Sequence, residues 1–147
     1  METVLSTLHV VTAVFIIGPM AILPMTGMRA VRAGQGGQVA TLAKSTFVFT
    51  LLSLLVFFFG FGVMGVADAR DNLSFTTPWI LISAILYLIA LAVSLVLVVP
   101  ALRTAAARLQ KADGAASEGN EYPRIAIGSG LVSLLLLVVV ILMVWKP

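Results

Sequence analysis

Four long stretches of this chain hold no acidic or basic residue apart from His9, and a polypeptide with that pattern has few ways to fold. The stretches run over about 4–28, 45–67, 79–99 and 125–145. A helix needs roughly 20 apolar residues to cross a ~30 Å hydrocarbon core, and each stretch has that length. With 61% hydrophobic and only 10% charged residues, the chain lacks the polar coat that a water-soluble domain requires. The expected fold is therefore all-α: a four-transmembrane-helix bundle, one membrane domain over residues 1–147, and a multi-pass protein of the cell membrane.

The charged residues gather at the ends and in three connectors. Arg29, Arg32 and Lys44 flank the run Ala33-Gly34-Gln35-Gly36-Gly37, which reads as a flexible basic turn. The second connector, Asp68 to Pro78, is short and closes on Thr77-Pro78-Trp79, where proline suits a first helical turn and tryptophan the interface. Past Pro100 the good helix formers continue to about residue 111, so the third helix is expected to project into the cytoplasm. Residues 113–122 read as the loosest loop. Seven Lys and Arg fall in the first and third connectors (Arg29, Arg32, Lys44, Arg103, Arg108, Lys111, Arg124), against Arg70 and Lys146 elsewhere. By the positive-inside rule, both termini are expected on the non-cytoplasmic side. The opening Met-Glu-Thr-Val-Leu lacks the basic start of a cleavable signal peptide, so the first apolar stretch is expected to persist as a helix.

Several functions are disfavoured by composition. Without cysteine there is no disulfide, thiolate nucleophile or Cys-ligated metal centre. The net charge of +3 comes without the interleaved basic and aromatic surface that tracks phosphates, so no nucleic-acid partner is expected. No Asp or Glu lies in any apolar stretch, which argues against proton-coupled transport.

His9 is the one ionisable residue inside a span. Ser6 and Thr12 share its helix face, and a neutral imidazole there can hydrogen-bond a neighbour, or ligate a metal or haem iron. A second axial ligand would have to come from a methionine such as Met20, Met25, Met64 or Met143, or from another chain. Small residues form two further candidate faces: Gly60, Gly62 and Gly65 on the second helix, and Ala126, Gly128, Ser129, Gly130 and Ser133 on the fourth, where Ala126 and Gly130 are four apart, as are Ser129 and Ser133. Such spacing lets helix backbones approach closely, within one chain or against a partner. Tyr87, in mid-helix, should face the bundle so that its hydroxyl finds a partner. Asp68, Asp71, Asn72 and Ser74 match no calcium loop and read as a solvated turn.

The segment Leu8-His9-Val10-Val11-Thr12-Ala13-Val14-Phe15-Ile16-Ile17-Gly18-Pro19 resembles a family of bacterial predicted integral membrane proteins, domain of unknown function 2269. The Leu-His pair early in the first helix, Gly18 a few turns on, and Arg29 and Arg32 at its inner end carry the likeness. The pair is also distantly similar to copper-resistance-D-like and cytochrome-b-like membrane proteins, a likeness that implies a haem or copper role for His9.

The leading expectation is a non-catalytic membrane protein, not an enzyme, acting as an accessory or interaction subunit of a larger assembly or as a homo-oligomer, with the lipid bilayer as its surroundings and no cofactor. The alternatives are a b-type haem or metal-binding redox protein using His9, and a small-solute or lipid-handling permease with its path among Thr12, Ser53, Tyr87 and Ser94.

Overall fold

In the computed structural model the described residues are 1–71, 74–111 and 121–147, the side chains of 67–71 excepted. Four helices, α1 (Glu2–Arg32), α2 (Gly36–Asp71), α3 (Pro78–Lys111) and α4 (Glu121–Trp145), make up the architecture, with no strand among the described residues. All four are long and apolar enough to cross a membrane. At 1.5 Å per residue, the 31 residues of α1 reach about 46 Å, well beyond the hydrocarbon thickness, so polar helix ends project past it. The third helix runs on past Pro100 to Lys111.

The glycine-rich basic segment contributes far less to a turn than its composition suggests. Helix α1 continues through Arg29 and Arg32, α2 starts at Gly36, and only residues 33–35 lie between. Gly34 adopts φ 70°, its N–H donates to the Val31 carbonyl, and the Gln35 N–H donates to the Ala30 carbonyl. This pair of bonds satisfies carbonyls that a helix end leaves free, and glycine is the residue that enters the left-handed region without a Cβ penalty. At the start of α3, Thr77 is extended, its hydroxyl accepts from the Ser74 N–H, and Pro78 occupies the first turn.

Neighbouring helices pack as α1 with α2, α2 with α3, α3 with α4 and α4 with α1. The packing is uneven along the bundle. At the end carrying the 33–35 turn, all four helices converge on Met20, Val39, Val98, Leu102 and Ile125, each fully buried. At the opposite end, which carries both termini, α1 packs chiefly on α2 and α3 on α4. There the two pairs meet through side chains: Phe57 stacks on Tyr87 with centroids 5.0 Å apart, and Phe61 meets Phe75 at 5.3 Å. No residue of Glu2–Thr12 is buried.

Two helices depart from α geometry in the same way. A π-helical turn occupies Ala13–Ile17 in α1, and another occupies Ser94–Val98 in α3. In each the next residue but one is a proline, Pro19 or Pro100. A proline ring clashes with the carbonyl four residues back, which belongs to Phe15 or Val96, the middle residue of its π turn. Widening the helix there relieves the clash. Phe15 is 71% exposed and Val96 76%, so the middle residue of each π turn faces away from the bundle.

Candidate functional site

His9 lies where α1 crosses α2. Its Nδ1 is 2.9 Å from the Val56 carbonyl oxygen. A carbonyl only accepts, so Nδ1 carries the proton and donates, and in the neutral ring Nε2 keeps its lone pair. The ring is admitted by Gly60: a Cβ there would come within 3.1 Å of His9 Cε1. Gly62, half a turn on, leaves Leu5 at ordinary contact distance, and Gly65 has open space beside it. Thr12, on the same face of α1 as His9, donates to the Leu8 carbonyl at 2.6 Å within its own helix. Ser6 is exposed.

The methionines that could complete a ligand set are dispersed. Met20 is fully buried in the core, Met25 faces outward, Met143 is half-buried near the end of α4, and Met64 is buried one turn beyond Gly60 on the same face of α2. Among the described residues no group of three or more His, Asp or Glu side chains converges as a metal site. Of the second connector's oxygen donors, the side chains of Asp68, Asp71 and Asn72 lie outside the described residues, and Ser74 lies in the turn into α3, its N–H donating to the Thr77 hydroxyl.

A second polar cluster joins α2 to α3. Thr50 Oγ1 is 2.9 Å from Ser94 Oγ, and Ser53 Oγ is 2.7 Å from Tyr87 Oη, all four residues being buried. Thr50 also donates to the Thr46 carbonyl, and Ser53 Oγ lies 2.6 Å from the Thr50 carbonyl. Tyr87 faces the bundle, as its hydroxyl requires. Ser53, Tyr87 and Ser94, three of the four residues named for a polar path, thus lie in this cluster, Ser53 bonded to Tyr87 and Ser94 to Thr50, while Thr12 stands apart on α1.

On α4 the small residues divide. Ser133 donates to the Ala21 carbonyl of α1 at 3.2 Å, three residues before Pro24, where the missing proline N–H loosens the ladder. Ala126 is half-buried, and Gly130 is exposed with nothing near its would-be Cβ. The close approach belongs to Gly128, where a Cβ would meet Val98 Cγ2 at 2.7 Å and Leu97 Cδ2 at 3.2 Å. Gly27 plays the same part in α1, seating Leu102 Cδ2 at 2.8 Å. Gly128 is one of the small residues expected to shape a face of the fourth helix; Gly27 is not, since its inward direction depends on the bundle.

The basic residues collect at the end opposite the termini. Arg108 pairs with Glu121 at 3.2 Å. Arg32 of α1 sits over the Tyr122 ring of α4, and Arg103 of α3 over the Phe47 ring of α2, each at 4.9 Å from the centroid.

The model of a family of predicted integral membrane proteins, DUF2269, matches residues 3–147. No curated protein and no solved structure matches the chain.

Proposed function

Since the chain belongs to the DUF2269 family of predicted integral membrane proteins and lies in the membrane as a multi-pass protein, we propose that it is a non-catalytic subunit that joins a larger membrane assembly, made with another membrane protein or with further copies of itself. The observation that supports this reading is how its polar side chains are used. Thr50 with Ser94, Ser53 with Tyr87 and Ser133 with the Ala21 carbonyl each tie one helix to the next, so the interior hydroxyls hold the bundle together. The outward small residue Gly130, beside exposed Ile127 and Leu131, meanwhile gives a partner helix a place to approach closely. Mass spectrometry of what accompanies the native protein in mild detergent tests this. Gly130→Leu should abolish an accompanying subunit while the protein keeps its helicity and thermal stability. Retention of every accompanying species in that variant removes the face from consideration.

In this proposal the basic end faces the cytoplasm and both termini lie outside, in keeping with the seven Lys and Arg of the first and third connectors. The chain has no cysteine, so single cysteines at position 35 or 146 report orientation directly. Labelling of position 146, and not 35, by an impermeant thiol reagent on intact cells is expected.

One observation favours a second reading, a haem or metal protein that uses His9. Ligating histidines commonly donate their other ring N–H to a carbonyl, which fixes the tautomer. His9 does so to Val56. A visible absorption spectrum of the purified protein separates the two readings: a Soret band lost in His9→Ala would favour the haem protein, and its absence from the wild type would remove it.

A further inference from the structure

Two arginines at the basic end are held by aromatic rings. Arg103 is exposed and lies over Phe47 at the seam of α3 with α2; Arg32 is exposed and lies over Tyr122 at the seam of α1 with α4. Arg108 has its carboxylate in Glu121, but among the described residues no carboxylate is within ion-pair distance of Arg32 or Arg103. A guanidinium held over a ring face is attracted by the ring's quadrupole, and the N–H groups it turns away from the ring stay open to an oxyanion. The surroundings are cationic as well. Lys44 lies three residues before Phe47, and Arg29 three before Arg32, each one helical turn away and exposed.

What lies beyond each arginine, toward the middle of the membrane, is apolar and exposed. Two turns up α3 from Arg103, on the same face, is Val96; two turns up α1 from Arg32, on the same face, is Met25. Val48, next in the chain to Phe47 on α2, and Ile127, five residues after Tyr122 on α4, are exposed too. Each seam therefore offers a fixed cation at the level where a helix leaves the hydrocarbon, below an apolar wall. That is the layout of a phospholipid: phosphodiester below, acyl chain above.

We propose that the Arg32–Tyr122 and Arg103–Phe47 clamps are two anionic-phospholipid sites, one on each side of the bundle, in which the guanidinium binds the lipid phosphate. The end as a whole selects anionic over zwitterionic lipid, because a choline or ethanolamine headgroup would bring an ammonium against Lys44 or Arg29. The bound lipid then mortars α1 to α4 and α2 to α3 where the helices leave the membrane.

Native mass spectrometry of the full chain in mild detergent, titrated with phosphatidylglycerol or phosphatidylcholine, tests this. The wild type should retain two phosphatidylglycerol molecules in preference to phosphatidylcholine. Arg32→Gln and Arg103→Gln should each lose one of them, with affinity at the altered seam down by roughly fivefold or more, the usual weight of one cation near an anionic lipid surface. The double variant should show no preference between the lipids. Arg124→Gln, which removes the same charge outside a clamp, should keep both. Phe47→Leu keeps the arginine and an apolar side chain, and should weaken the Arg103 site without unfolding the bundle, which circular dichroism checks. Equal losses from Arg124→Gln and Arg103→Gln would reduce the effect to diffuse charge and overturn the proposal, as would retention of both lipids by the double variant. Displacement of the lipid by excess inorganic phosphate would assign the clamps to free phosphate and overturn the lipid identification.

Discussion

His9 and Gly60 depend on each other. The imidazole reaches the Val56 carbonyl only because position 60 has no side chain, a Cβ there standing 3.1 Å from the ring. Gly60→Ala should therefore lower stability by about 1 kcal/mol, and in the His9→Ala background the same change should cost much less. A double-mutant cycle by thermal unfolding in detergent reads that coupling, expected in the range of about 0.5–3 kcal/mol for residues in contact. Gly128 and Gly130 make the complementary comparison. Gly128→Ala drives a methyl toward Val98 and Leu97 and should destabilise by about 1–3 kcal/mol, whereas Gly130→Ala should stay within about 0.5 kcal/mol of wild type. The sequence made the small residues of α4 visible as a group. It did not say which were turned inward, because spacing reports which residues share a face and leaves the direction of that face to the packing of the other helices. The Ser53–Tyr87 bond was legible in half: an intramembrane phenol needs a partner, but nothing along the chain singles out Ser53.

Helices are where the sequence was most informative. Runs free of charge located four of them, since no other element crosses a bilayer with every backbone group satisfied except a closed barrel. Their ends were harder to read. Apolarity marks the hydrocarbon and not the helix, so α1 and α2 run on through Arg29, Arg32 and Lys44 until Gly34 stops the first. Gly34→Ala should destabilise by about 1–2 kcal/mol, the cost of a Cβ in the left-handed region, measurable as a lowered unfolding temperature. The π turns were invisible, because a period of 3.6 contains no mark for an added residue. Pro19→Ala and Pro100→Ala should let the local ladder close toward α geometry, slowing amide hydrogen exchange at residues 13–19 and 94–100 respectively; unchanged exchange would mean that packing, and not the proline ring, maintains the bulge.

The whole molecule repeats one plan. Helices α1 and α3 each carry a π turn, a proline and, farther along, an arginine stacked on the helix beside it; α2 and α4 supply the rings. Exchanging α1 with α3 and α2 with α4 preserves which helices are neighbours. The sequence shows the two hairpins as alike in layout and unlike in residues, because the correspondence rests on backbone breaks and pairing, with His9, Tyr87 and the glycines free to differ. The bulges also govern how each helix is rotated. Residues along an α-helix advance about 100° each, so one added residue turns everything on one side of it relative to the other. Closing Ala13–Ile17 into plain α geometry with every residue kept would swing residues 2–12 about 100° around the axis of α1, carrying His9 away from Val56 and Gly60 while Arg32 kept its seat on Tyr122. The π turn of α1 is in that sense a phase shifter: it lets one rigid helix satisfy two contacts that an uninterrupted helical register would hold out of alignment.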